Sequence, residues 1–346
     1  MRLKGLSYCF RSACLTWFFA GLLFHTPLKC ALAGQIAVAG KPLEEFHVAY
    51  GAVNASAVPL WIAHELGFFE RYGLRAHLIY INSASRVLAA MMAGDIHVAQ
   101  SSVGAVVAAY PRSDAVLIGG GVNKINVSIY GLPEIREPRN LEGKKLGITR
   151  FGGLYDFSAR YALAKWKLQP AKDVVLIQVG DIPSLMLALA ANAIQAATLQ
   201  PPSSIRARQL GYRELMDLSR AGLEYQTSAL ITTRSMIIRS PVRLGGFMRA
   251  FSEGLAVFHN QKEAALKVMG KYLTGMDPRI LEETYRENTQ WIPRVPYVNH
   301  AGMETAINLT PGMEQASRPK VQDLVDESFV KELDQQGVYR TLYGKR

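Results

Sequence analysis

The chain has 346 residues, of which 49% are hydrophobic, 19% charged and 9% aromatic. That length exceeds one small core and suits two lobes, and the composition excludes a disordered, fibrous or coiled-coil chain. A formal net charge of +11 favours an anionic ligand or surface, but the cations are scattered singly and never form the Lys/Arg runs of a nucleic-acid-binding protein.

The N-terminus has Arg2, Lys4 and Arg11, then an apolar run over residues 13–24, then Ala31-Leu32-Ala33. Basic, apolar and small-residue stretches in that order predict a secretory signal cut after Ala33, leaving a chain that begins at Gly34. The apolar run is twelve residues long, short of the roughly 20 a spanning helix needs. Cys9, Cys14 and Cys30 all fall in the segment, so the cut chain has no cysteine. Removing it also takes Arg2, Lys4, Arg11 and Lys29 and no acid, lowering the charge from +11 to +7.

From residue 46 onward, strand-like and helix-like stretches alternate. Residues 46–50 read as a strand, 58–70 as one helix, 78–81 as a strand, 86–93 as a helix ended by Gly94, 96–99 as a strand and 103–110 as a helix. Residues 116–118 then run into Gly119-Gly120-Gly121, read as a bend between lobes because the spacing is wrong for a dinucleotide loop. The pattern restarts with a strand over 146–149, a helix over 154–166, a strand over 174–179, a helix over 184–191 and a strand over 194–199. Gly94 and Asn192 occupy equivalent places in the two rounds, and both residue types tolerate a left-handed helix end. One further strand is expected over 229–232. Helices follow, opened by Ser240-Pro241 and Asp277-Pro278, the first with an apolar stripe of Leu244, Phe247, Phe251, Leu255 and Phe258.

In open α/β sheets ligands bind beyond the carboxyl ends of strands, near helix starts. The junctions of the first round contain Tyr50, Asn54, Ser56, Ser83, Ser85, Gln100, Ser101 and Ser102; those of the second contain Arg150, Phe151, Gly152, Gly153, Tyr155 and Gln200. These are the candidate ligand-binding residues, although Ser and Asn at such places also cap helices. Hydroxyls, backbone N–H groups and Arg150 suit an organic anion, while Tyr50, Phe151 and Tyr155 suit a flat ring. No catalytic set emerges: His64-Glu65 lacks the second histidine of a zinc-protease helix, and there is no G-x-S-x-G elbow. His47, His77 and His97 read as separate structural residues on strands, so neither metal nor cofactor is expected.

The stretch Leu60-Trp61-Ile62-Ala63-His64-Glu65-Leu66-Gly67-Phe68-Phe69-Glu70-Arg71-Tyr72-Gly73-Leu74 resembles the first helix of nitrate/sulfonate/taurine-type periplasmic binding proteins, a family that includes thiamine-pyrimidine binders. Ala93-Gly94-Asp95-Ile96, Asn140-Leu141-Glu142-Gly143-Lys144-Lys145-Leu146-Gly147 and Gln200-Pro201 match its later landmarks, and the resemblance spans residues 45–297. Asn192 departs from the family's usual glycine.

The resemblance implies an α/β, two-lobe type II periplasmic-binding-protein fold, each lobe a mixed sheet flanked by helices. The expected segments are the signal over 1–33, the first part of lobe 1 over 34–127, lobe 2 over 128–225, and a return to lobe 1 with C-terminal helices over 226–346. It implies a monomeric periplasmic protein that delivers a small organic solute, a sulfonate-like anion first, to an ABC permease. Two other readings stay open: an enzyme on this fold, pyrimidine synthase-like or dehydratase-like, and a receptor that reports a ligand without transport. The missing cysteines count against the synthase type and the export signal against the cytoplasmic dehydratases.

Overall fold

The computed structural model describes residues 42–310 and 318–344, and the expected signal segment lies outside them. Strand β1 (Glu44–Tyr50) leads through a 3-10 turn at Ala55–Ala57 into helix α1 (Val58–Glu65). In place of one helix over 58–70, Gly67 takes φ +67° and breaks it, and α2 (Phe68–Arg71) restarts. Glycine ends the helical ladder in the left-handed region at little cost because it has no Cβ. The turn sends Phe68 and Phe69 into the core.

Next come β2 (Leu74–Tyr80), α3 (Ala84–Ala93), β3 (Val98–Ser102), α4 (Gly104–Ala109) and β4 (Ala115–Lys124). They are followed by β5 (Ser128–Gly131), β6 (Lys144–Ile148), α5 (Leu154–Lys165), β7 (Val174–Gln178), α6 (Ile182–Ala190), β8 (Ala196–Leu199), α7 (Ser203–Gln209) and β9 (Arg213–Asp217). The long strand β10 (Glu224–Thr233) precedes α8 (Arg234–Arg239), α9 (Pro241–Asn260), α10 (Lys262–Tyr272), α11 (Pro278–Asn288) and α12 (His300–Leu309). Three short helices follow, α13 (Val321–Leu324), α14 (Ser328–Gln335) and α15 (Val338–Tyr343).

The strands form two five-stranded mixed sheets, ordered β2-β1-β3-β10-β4 and β7-β6-β8-β5-β9. Each has a parallel core and one antiparallel strand, β10 in the first and β5 in the second. The chain passes between sheets at residues 125–127 and returns at 218–223. Gly94 and Asn192 take φ +88° and +53° after α3 and α6, as their equivalent positions predict.

The Gly119-Gly120-Gly121 run is not a bend. It lies inside β4, between β10 and the segment around Pro296 and Tyr297. A Cβ on Gly120 would sit 2.4 Å from the Tyr297 carbonyl oxygen, and the Gly120 N–H donates to Pro296 O at 2.7 Å. The glycines allow a backbone approach that no side chain would permit.

The stripe on α9 is fully buried against α1, α2 and β1. Phe247 stacks on Phe46 at 5.8 Å and on Phe69 at 5.6 Å. Asp277 caps α11 by accepting from the Arg279 N–H at 2.7 Å, whereas the Ser240 side chain makes no capping bond at the start of α9. From the same side α11 reaches the second sheet's helix α7, where Arg208 pairs with Glu283 at 2.7 Å.

Candidate functional site

The six β-to-α junctions lie at the carboxyl ends of β1, β2, β3, β6, β7 and β8. After β1, Asn54 Oδ1 accepts from the N–H and the hydroxyl of Ser56 at 3.0 and 2.6 Å and so caps the 3-10 turn. Ser56 in turn presents its carbonyl oxygen to Gln100 Nε2 at 2.6 Å. Ser101 is buried beside Gly51, where a Cβ would come within 2.9 Å of its hydroxyl, and Ser102 is half-buried opposite Ser228. Ser83 caps α3 through the Arg86 N–H at 3.5 Å and shares a hydrogen bond with Ser85. Ser83 is thus the N-cap of α3, while Ser85 lies exposed in its first turn.

Gln200, at the end of β8, connects the lobes. Its Oε1 accepts from the Tyr155 hydroxyl at 2.6 Å and from Asn54 Nδ2 at 3.4 Å, while its Nε2 donates to Asn126 Oδ1. Asn54 belongs to the first sheet's junctions, Tyr155 to the second's, and Asn126 to the passage between β4 and β5. Five of the predicted residues (Asn54, Ser56, Gln100, Tyr155 and Gln200) therefore form one hydrogen-bonded chain across the two lobes. Asn126 was missed because a lone asparagine outside any helix start carries no local signal. Burial raises the Tyr155 hydroxyl above its ordinary range, so it stays a donor.

The other predicted residues of the second lobe sit differently. Arg150 and Phe151 are exposed, and the Phe151 N–H is held by Gln178 Oε1 at 3.0 Å. The Gly152 N–H, predicted to face a solute, donates to Asp156 Oδ2 at 2.9 Å. Gly153 is the N-cap of α5 and makes no side-chain cap bond. Asp156 is buried and pairs with Arg160 at 2.8 Å, and at the start of α6 Asp181 accepts from the Ser184 N–H at 2.8 Å. Two helix starts that could attract an anion thus already hold a carboxylate of their own.

Tyr50 stands edge-on to Trp61 at 5.9 Å and tilted to Tyr80 at 5.5 Å. Tyr80, unnoticed in the sequence, ends β2 and remains 47% exposed. Burial and, behind it, the Asp181 charge from the other lobe push its hydroxyl up.

The three histidines are not separate, because parallel register places them side by side. His47 lies opposite His77, and its ring is 5.5 Å from the rings of both His77 and His97. Each is held: His47 Nδ1 by the Asp95 carbonyl, His77 by Glu45, and His97 Nδ1 by the His47 N–H at 2.8 Å. Among the described residues no group of three or more His, Cys, Asp or Glu is arranged to hold a metal ion. Burial, then Arg243 and His47, push His97 down to about 4; burial, then Arg294, do the same to His259. Both stay neutral in the fold while the unfolded chain protonates near pH 6.5, so stability is full above that pH and falls as pH drops toward 4. Unfolding free energies from urea titrations at pH 7 and pH 4.5 should differ by about 2 kcal/mol from this pair, discounted for partial exposure. Replacing His97 with Asn should reduce the difference.

A family profile described as "NMT1/THI5 like" matches residues 54–265. The chain belongs to the NMT1/THI5-like family. No curated protein sequence matches it. Among solved structures, the periplasmic nitrate-binding protein of Synechocystis PCC 6803 superposes with a TM-score of 0.68 at 15% identity, covering 85% of this chain and 89% of that one. The periplasmic aliphatic sulphonate binding protein of Escherichia coli gives 0.65 at 15%, covering 82% and 92%. A Candida albicans protein described as having the generic periplasmic binding protein fold gives 0.66 at 12%, covering 82% and 97%. The likeness is one of fold: this NMT1/THI5-like chain has the two-lobed periplasmic-binding-protein fold. Among its described residues no helix is long and apolar enough to cross a membrane.

Proposed function

We propose that the protein is an extracytoplasmic solute-binding component of an ABC importer, exported by a signal cut after Ala33. It captures a small organic solute between its lobes as a monomer and hands it to a permease. The observation that carries this reading is the Gln200 network, which joins the carboxyl ends of both sheets through Asn54 and Tyr155. Residues 34–127 and 226–346 form one lobe and 128–225 the other, hinged where the chain passes between sheets. The nitrate- and sulphonate-binding neighbours favour this over an enzyme or a non-transporting receptor.

The solute contacts fall on Tyr50, Asn54, Gln100, Ser101, Ser102, Tyr155 and Gln200, with Arg150, Phe151 and Gly153 at the rim. A sulfonate-like anion would rely on Arg150, Ser101 and Ser102. A flat ring would lie against Tyr50 and Tyr80, and the carboxylates of Asp156 and Asp181 at the facing helix starts favour it over the anion.

Native mass spectrometry of freshly purified protein should find a co-purified small molecule. Its removal and return should expand and compact the protein in small-angle scattering, as lobe closure requires. An unchanged radius, or chemical conversion of the molecule, would reject the transport reading.

A further inference from the structure

The two passages between the sheets are tied to each other at both ends. On the side of the second sheet, the Leu218 N–H donates to Val127 O at 3.0 Å. On the side of the first, the pairing of β4 with β10 is interrupted: Lys124 faces Glu224 and Val122 faces Ser228, so residues 225–227 of β10 stand opposite Asn123 alone. Such a bulge bends its strand and disrupts the ladder. Side chains fill the gap. The carbonyls of Val122, Asn123 and Lys124 accept from Gln226 Nε2 at 3.2 Å, Asn299 Nδ2 at 2.9 Å and Thr227 Oγ1 at 2.7 Å.

Asn299 comes from a third segment, the start of α12. Its backbone N–H donates to Gln226 Oε1 at 2.7 Å, its Nδ2 reaches the Glu224 carboxylate as well as Asn123 O, and its Oδ1 accepts from the Gly302 N–H at 3.0 Å. Backbone N–H groups only donate, so they fix which end of each amide is the oxygen. Gln226 is fully buried, and a Cβ on Gly302 would lie 2.6 Å from its backbone nitrogen. The start of α12 is thus seated on the bulge, with Asn299 bonded to both β4 and β10 where their ladder is broken.

We propose that Asn299 is a positioning residue for the cleft: it locks β4 to β10 where they leave the first sheet, so that the lobes turn about residues 125–127 and 218–223 as one unit and Asn54 meets Gln200. The inference rests on the lobe-closure part of the solute-binding reading. Two passages tied at both ends behave as a single ribbon, and a ribbon confines the motion to one hinge. With the tie at the first sheet released, each passage moves by itself. The second lobe then twists as well as closes, and a bond such as that between Asn54 and Gln200, at 3.4 Å already at the limit of reach, is lost.

The test uses the full chain without solute and two variants. Asn299→Ser keeps a side-chain oxygen to cap α12 but removes both Nδ2 bonds, whereas Asn299→Ala removes the cap as well. In Asn299→Ser, amide hydrogen exchange over 122–128 and 218–228 should quicken about tenfold. The small-angle scattering profile should broaden, with a larger maximum dimension, while the melting temperature stays near that of the unmodified protein.

Both changes are required, and either one alone overturns the lock. A role confined to capping predicts that Asn299→Ser matches the unmodified protein and that only Asn299→Ala quickens exchange, at 300–304, and that result also overturns it. Capture of a solute is read separately, from the radius of the unmodified protein with and without its co-purified molecule. A fixed radius there rejects capture while the exchange and scattering of Asn299→Ser still decide the lock; a failed lock leaves capture standing.

Discussion

Gln200→Leu should destabilise the protein by about 3 kcal/mol or more, because the change strands several buried groups at once. Gln200 is 5% exposed and bonds to Asn54, Tyr155 and Asn126. Leucine fills a similar volume but leaves the Tyr155 hydroxyl and the Asn126 carbonyl without partners, and an unpaired buried polar group costs about 1–3 kcal/mol. Tyr155→Phe is the calibrating variant. It removes one donor and leaves Gln200 bonded to Asn54 and Asn126, so it should cost about 1 kcal/mol. Urea denaturation of the two variants gives both numbers. Equal losses would mean that Gln200 does not hold the lobes together through three bonds, and the scattering profile of Gln200→Leu should then match that of the unmodified protein.

Phe251→Ala should cost about 3–5 kcal/mol, the range for emptying a buried phenylalanine site. Phe251 is fully buried on α9 and stacks on Phe247 at 6.3 Å, within the aromatic layer that includes Phe46 and Phe69. The surroundings cannot easily collapse into the space. Three residues further along the chain, a Cβ on Gly254 would already lie 2.2 Å from the Pro59 carbonyl oxygen of the neighbouring helix. Helices α1 and α9 are therefore at their closest approach and cannot move together to refill it. A loss below about 1 kcal/mol in thermal or urea unfolding would show that this layer is not the lobe's core.

Much of the fold was legible in the chain because the relevant signals are local. The alternation of strands and helices, the α9 stripe and the left-handed ends at Gly94 and Asn192 each depend on a few consecutive residues. β5 and β9 escaped notice, the first being four residues long and the second, Arg213–Asp217, mostly polar. β10 was expected over 229–232 but starts at Glu224, since its first half is polar and still buried. Gln226 is fully buried there because it bonds to Val122 O, Asn123 and Asn299, partners that only the fold supplies.

The candidate site divides along the same line. The sequence by itself determined which residues stand at the carboxyl ends of strands, because helix starts and strand ends are written in neighbouring residues. Only the tertiary structure decided what each of them meets. It turned Ser83 into a cap, gave the Gly152 N–H to Asp156, and brought Gln200 to Asn54 across 146 positions of sequence. It also set His47 beside His77 and His97, and placed Gly121 beneath Ser228 rather than in a bend. Strand register and lobe contact are relations between distant segments, and no periodicity within one segment encodes its neighbour.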